Sequence, residues 1–294
     1  MNKVSTQVST FSREELKSQQ KLEELKECFH DFGGVVVKKL IDKKTIEEFK
    51  ASFIKLMSNV YEKILNDRVP TRDQDELYLN LRKRAPEHAS SLMGLGRDFP
   101  EYYRLVGALA NDPILFSILD SRHIQVVHDV CLFRIDSPDY PEAGFDWHQD
   151  YPYNMMSRNA VTVWSPILDV TSAMGPMEIV PKSHNQLFPV TIKKNTSKKK
   201  FVSQRQMALS NPEALSADFE SDSICLPEKI AGDAFLFHSH LVHRSNKNNS
   251  DKCRWIFNPR FGDFSDTELT KRYWYTARSK YPYLIKDIHR ELVC

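Results

Sequence analysis

Hydrophobic positions in this chain change their rhythm once. Up to about residue 120 they recur at helical spacing, and beyond it they come in short β-branched and aromatic runs. Leu16, Leu22, Leu25 and Phe29 repeat at near-helical intervals behind Ser12 and Glu15, a capping-box pair, and predict an amphipathic helix over residues 13–30. Asp31-Phe32-Gly33-Gly34 stops it, and Val35-Val36-Val37 predicts a short strand. Asp42 is placed to cap a second helix over about 43–65. Further helical patterns run through 75–84 and 100–120, with breaks at Pro86, Pro100 and Pro113. The first 122 residues therefore read as a mainly helical flank.

From Ile124 the runs 124–135, 160–168, 177–181, 233–237 and 253–261 are rich in Val, Ile, Phe and Trp, with Pro, Gly, Asn and Asp between them. That texture predicts an antiparallel sandwich or barrel over 123–262. Residues from about 190 to 222 lack apolar periodicity and include the lysine cluster of 193–200. They read as an inserted loop with one helical turn and a solvated basic surface. The extension 263–294 carries Tyr273, Trp274, Tyr275, Tyr281 and Tyr283, aromatics expected to pack against the core.

Composition narrows this further. A chain of 294 residues with 41% hydrophobic positions is long enough for one large domain, taken here as 1–294. Lys and Arg number 41 against 39 acidic residues, a formal net charge of +2, so nothing points to a nucleic-acid or membrane partner. The expected partner is a small molecule, polar or carboxylate-bearing. Five scattered cysteines without a Cys-x-x-Cys pair suggest neither a disulfide framework nor a zinc knuckle, which fits a reducing, cytoplasmic setting. The polar N-terminus and the absence of a long apolar run predict a soluble, unexported chain.

The chemistry concentrates in two stretches. In Phe145-Asp146-Trp147-His148-Gln149-Asp150, His148 and Asp150 are two residues apart, so extended backbone points both side chains to one side. Two histidines and one carboxylate on one face of a metal leave open positions, an arrangement suited to non-haem Fe(II) working with dioxygen. The second stretch, residues 232–245, offers His238, His240 and His243 as the missing ligand, and strand spacing alone does not choose among them. Arg254, eleven residues after His243, sits in the apolar run Cys253-Arg254-Trp255-Ile256-Phe257. A guanidinium there needs a fixed anion, either a bound ligand or a structural Asp or Glu.

Taken in order, these residues resemble the phytanoyl-CoA dioxygenase branch of the Fe(II)/2-oxoglutarate oxygenases. The likeness begins at residues 31–42 and continues through His148-Gln149-Asp150, Val163-Trp164 and the stretch Gly175 to His184, with Lys182 where glycine is usual. It ends at Gly232-Asp233, Phe237-His238, Leu241 to Ser245 and Arg254. The resemblance implies a double-stranded β-helix (jelly roll, cupin-like) core with flanking helices. It also implies Fe(II) held by His148, Asp150 and His243, the last because the family's ligand lies before a Ser or Thr and eleven residues ahead of an arginine, and His243 fits both conditions. By the same likeness Arg254 and Ser245 clamp the distal carboxylate of 2-oxoglutarate, while Trp164 and Gln149 lie at the co-substrate pocket.

The implied reaction consumes O2 and 2-oxoglutarate, releases succinate and CO2, and hydroxylates an unactivated C–H bond, with ascorbate as an accessory reductant. An intact Asp150 favours hydroxylation over halogenation. Desaturation or oxidative cyclisation in natural-product biosynthesis, a zinc hydrolase on the same triad, and a non-catalytic ligand-binding protein are the alternatives. Tyr151, Tyr153, Asn154 and Arg158 lie near the metal stretch as candidate substrate contacts, and Arg82, Arg84 and Arg134 are cations that an acidic substrate could meet. The remaining histidines read as structural.

Overall fold

The computed structural model describes residues 7–138, 145–192, 207–209, 218–276 and 284–293. The lysine cluster 193–200, Tyr281 and Tyr283 lie outside the described residues. The chain opens with β1 (Thr10–Ser12) and a 3-10 turn at Glu15–Lys17. Ser12 and Glu15 form the expected reciprocal pair: Glu15 N donates to Ser12 Oγ, and Ser12 N and Oγ donate to Glu15 Oε2. They close only that turn, so the helix proper, α1 (Gln19–Phe32), starts later than the pattern predicts. Gly33 ends it at φ +95°, where a side chain would be strained and a Cβ would lie 2.6 Å from His184 Nδ1.

After β2 (Gly34–Lys38), α2 (Lys43–Leu65) is capped as expected by Asp42, whose side chain accepts from Thr45 N. Then come α3 (Gln74–Arg84), α4 (Pro86–Leu95), α5 (Pro100–Ala110) and α6 (Pro113–Leu119). The prolines expected to break helices instead open them. In the first turn a missing N–H leaves nothing unsatisfied and the fixed φ already suits the helix.

The β-rich half contains β3 (Ile124–Val126), β4 (Leu132–Asp136), β5 (Phe145–His148), the short α7 (Tyr151–Asn154), β6 (Ala160–Pro166) and β7 (Met177–Ile179). It continues with β8 (Val190–Ile192), β9 (Met207–Leu209), β10 (Ile224–Cys225), β11 (Ala234–His238), β12 (His243–Ser245), β13 (Arg254–Asn258) and β14 (Arg260–Asp263). The larger sheet runs β1-β2-β11-β6-β13-β4, with β14 joining β3 to β6, and the smaller runs β10-β7-β12-β5. Apart from the parallel β1–β2 pair, the described strand pairs are antiparallel. Two such sheets facing one another form the jelly roll, flanked by helices.

Period-two alternation sorts the large sheet into two faces. Val35, Val37, Val163, Leu236, Trp255 and Phe257 point outward into the cluster that includes Phe49, Phe53 and Tyr102 of the helices. Phe49 alone packs its ring 4.7 Å from Phe257 and 4.9 Å from Phe133. Each such buried ring contributes about 2–3 kcal/mol by removing apolar surface from water. The opposite face sets Val36, Trp164, Phe235, Phe237 and Ile256 against Met177 and Ile179 of the small sheet. On that same inner face the parity also places Arg134, Asp136, Thr162, Arg254 and Asn258. Pro259, lacking an N–H, separates β13 from β14, yet Arg260 pairs with Thr162 and keeps the inward phase.

The C-terminal aromatics correct an expectation. Tyr273, Trp274 and Tyr275 are 75%, 49% and 38% exposed rather than packed inward. Tyr273 and Trp274 both take left-handed backbone at φ +57°, a turn that carries them along the surface, where Trp274 Nε1 donates to Phe264 O. Lys182 likewise adopts φ +64°, the conformation that explains why glycine is usual there, and its ammonium meets Asp31. No helix among the described residues is long and apolar enough to cross a membrane.

Candidate metal centre

His148 on β5 stands directly opposite His243 on β12, and Asp150 follows β5 by two residues. Their candidate ligand atoms all lie within 4.8 Å of one another, and all three residues are buried. Each imidazole is oriented through its other nitrogen: His148 Nδ1 donates to Asp146 O at 2.7 Å and His243 Nδ1 to Leu241 O at 2.9 Å. That places the proton on Nδ1 and turns the Nε2 lone pair toward the centre. The neighbouring Phe237 and Tyr153 rings confine them, 4.7 Å from His243 and 5.9 Å from His148.

Electrostatics prepare the same donor set. Burial, then the nearby His243, lowers His148 to about 3, and burial lowers His243 as well, so both rings are neutral near pH 7. Burial alone would raise Asp150, but the Arg260 guanidinium beside it holds it well below the usual carboxylate range. Arg260 Nε reaches Asp150 Oδ2 at 2.9 Å and Nη2 reaches Oδ1 at 3.2 Å, while Thr162 Oγ1 donates to Oδ2 at 2.8 Å. Neutral imidazoles and an ionised carboxylate are the forms a divalent cation requires. The residues present therefore fit a non-haem iron ion.

A cavity of about 230 Å³ opens beside the two histidines, with Trp164, Met177, Phe237, Ser245, Arg134 and Arg260 among its walls. Of the residues expected at the co-substrate pocket, Ser245 and Trp164 therefore line it. Gln149 does not. It is wholly buried, its amide nitrogen donates to Gln186 O and His240 O, and its oxygen accepts from Phe188 N. The turn after β5 throws it to the other side of the strand from the ligands.

Arg254 lies on the inner face but is not among the cavity-lining residues. Its Nη2 and Nε bond Asp136 Oδ2 at 2.9 and 3.3 Å, and its Nη1 donates to Met174 O. In this structure the anion that the buried arginine requires is Asp136. Burial would raise that carboxylate, and Arg134 and Arg254 together outweigh it and lower it.

Other candidates separate clearly. Arg134 lines the cavity, whereas Arg84 is turned outward to Tyr61 and Asp67, and Arg82 is not part of the wall. Arg158 pairs with Glu268, and Tyr151 OH with Glu268 and His289, so neither faces the cavity. Asn154, buried beside them, is not a lining residue either. On the far side of β11, His238 meets His240 edge to face and lies against the His184 ring. Sequence reasoning passed over Arg260, Asp136, Thr162 and Asn258. The signal was available in the alternation of Arg254, Ile256, Asn258 and Arg260, but Pro259 concealed that Arg260 stays in phase.

A neutral His pair and an ionised Asp clustered inside a jelly roll fit an iron- and 2-oxoglutarate-dependent oxygenase-type enzyme. Within that class, the chain belongs to the phytanoyl-CoA dioxygenase (PhyH) family, whose profile matches residues 29–256. Among solved structures it is similar to the non-haem alpha ketoglutarate dependent epimerase SnoN from nogalamycin biosynthesis, at 17% identity over 84% of each chain and a TM-score of 0.51. A complex of SnoN with Fe3+, alpha ketoglutarate and nogalamycin RO aligns at 17% identity over 84% of this chain and 85% of that one, with a TM-score of 0.53. The carbocyclase SnoK from the same biosynthesis aligns at 15% identity over 84% of this chain and 89% of that one, with a TM-score of 0.51. At these identities the likeness is one of fold. No curated protein matches the sequence.

Proposed function

We propose that this chain is a single-domain Fe(II)- and 2-oxoglutarate-dependent dioxygenase that hydroxylates an unactivated C–H bond of a small molecule. The observation that carries the reading is the convergence of His148, Asp150 and His243 within 4.8 Å beside a cavity, with both imidazoles neutral and fixed in one tautomer. In such a site, Fe(II) with 2-oxoglutarate would supply dioxygen activation, releasing succinate and carbon dioxide, with ascorbate as accessory reductant. The chain's own residues position and exclude. Carbonyls of Asp146 and Leu241 keep the ring protons away from the centre. Arg260 and Thr162 hold Asp150 ionised and immobile. Met177 and Phe237 keep the cavity dry on the small-sheet and large-sheet sides.

Ser245 and Arg254 anchor the distal carboxylate of the co-substrate, Arg254 by sharing its guanidinium with Asp136, and Trp164 walls the same space. Gln149 serves from outside it, holding three backbone groups so that the turn between His148 and Asp150 keeps its shape. The scattered cysteines, with no Cys-x-x-Cys pair, favour a reducing compartment such as the cytoplasm.

The test needs no substrate. Anaerobic addition of Fe(II) and then 2-oxoglutarate should produce a weak visible charge-transfer band, absent in His243→Ala. Metal binding without a band in the wild-type protein would refute the oxygenase and favour a zinc hydrolase or a non-catalytic protein.

A further inference from the structure

One polar side chain in the cavity wall has no task in the metal centre. Asn258, on the inner face of β13, is 4% exposed and lines the cavity beside the two histidine ligands. Its Nδ2 donates to Val163 O at 3.0 Å. A backbone carbonyl can only accept, so this bond sets the amide nitrogen toward β6 and turns Oδ1 the other way. Among the described residues nothing donates to Oδ1, and the atom is not sealed within the protein, so it opens on the cavity.

The donors around it are committed elsewhere. Arg260 sends Nε and Nη2 to Asp150, and Nη1 to the backbone carbonyls of Val130 and Asn258. Thr162 Oγ1 donates to Asp150 as well. The co-substrate cannot meet Oδ1 either, because the keto oxygen and the two ionised carboxylates of 2-oxoglutarate only accept. Asn258 pairs across the sheet with Leu132, and Met93 and Phe133 join Leu132 in the wall. In such surroundings an acceptor stays satisfied only while water reaches it. A ligand that fills the space without offering a donor strands it, which penalises binding.

We propose that Asn258 Oδ1 is a substrate-binding acceptor, and that the substrate carries a hydroxyl or N–H group on an apolar body. This rests on the oxygenase reading above, and the test keeps the two apart. The iron–2-oxoglutarate complex is formed without oxygen at saturating co-substrate. Two isomers of equal size, 1-pentanol and butyl methyl ether, are titrated against it, following the visible band. The alcohol, which donates, should bind about tenfold tighter than the ether, which cannot. Asn258→Leu, of similar shape, should bring that ratio close to one while the 2-oxoglutarate band and Mn(II) affinity persist. Asn258→Asp, which keeps an accepting oxygen, should retain the preference.

Equal binding of the two probes by the wild-type protein overturns the subsite, as does an undiminished preference in Asn258→Leu or its loss in Asn258→Asp. Loss of the band in Asn258→Leu would give the residue to the co-substrate instead, and a fall in Mn(II) affinity would make it a metal ligand; either result overturns the proposal. Should the wild-type protein show no band, the oxygenase reading falls, and the alcohol preference is read instead by tryptophan fluorescence on the metal-free protein, since Trp164 lines the same cavity. Urea unfolding checks that each variant folds, with Asn258→Ala replacing Asn258→Leu if the latter does not.

Discussion

Removing Arg260 should damage the metal-free protein far more than the metal-bound one. Arg260→Met deletes two charge-assisted contacts to Asp150, whose side chain is fully buried, and keeps the Thr162 hydroxyl as a donor to it. Breaking a buried pair by removing one partner costs about 3–5 kcal/mol. The alternative, protonating the carboxyl at pH 7, costs about 4 kcal/mol, some three pH units at about 1.4 each. Neither escape is cheap when total stability is on the order of 5–15 kcal/mol. A divalent cation replaces the lost countercharge, so the gap to wild type should shrink below about 2 kcal/mol when metal saturates the site. Asp150→Asn in the same background removes the stranded charge and should recover most of the metal-free loss. Urea unfolding with chelator and with saturating Mn(II) measures all of this. A metal-free loss under about 1 kcal/mol, a gap insensitive to metal, or no rescue by the double variant would each refute the assignment of Arg260 as the fixed partner of Asp150.

Gln149→Ala should cost about 3 kcal/mol by stranding three buried backbone groups; a small loss accompanied by a vanished 2-oxoglutarate band would show that the side chain meets the co-substrate. Arg254→Ala should weaken 2-oxoglutarate at least tenfold while leaving Mn(II) affinity within about threefold, measured by titration of each, and an unchanged co-substrate affinity would leave Arg254 as the partner of Asp136 alone. Burial lowers His240 to about 3 and His238 well below its ordinary value of 6.5. The unfolded chain therefore takes up protons that the folded chain refuses. Stability is intact above pH 6.5 and falls below it, by about 2–3 kcal/mol between pH 6 and 5 for the two rings together; a flat stability over that interval would contradict their neutral burial.

Local pattern went far in this chain. The capping pair Ser12–Glu15, the cap at Asp42 and the stop at Gly33 depend on neighbours within a few residues, and each forms. Their reach was less legible: the capping box closes one turn, and Pro86 opens a helix that the spacing did not suggest. The short strands β1, β10 and β12 escaped notice because two or three residues carry no period of their own and exist only through their partners.

What the sequence determined by itself was the change from helical to strand periodicity, the His148–Asp150 pair two residues apart, and the second block ending in Arg254. Those features rest on spacing, which backbone geometry converts directly into direction. The tertiary structure decided which groups face one another across the sandwich. It set His243 opposite His148, turned Gln149 away, joined Arg254 to Asp136 across two strands, and brought Arg260 onto Asp150 across 110 positions of chain. Burial makes those pairings obligatory, because a charge inside a sandwich must find a partner, but only the register of the strands determines which partner it finds.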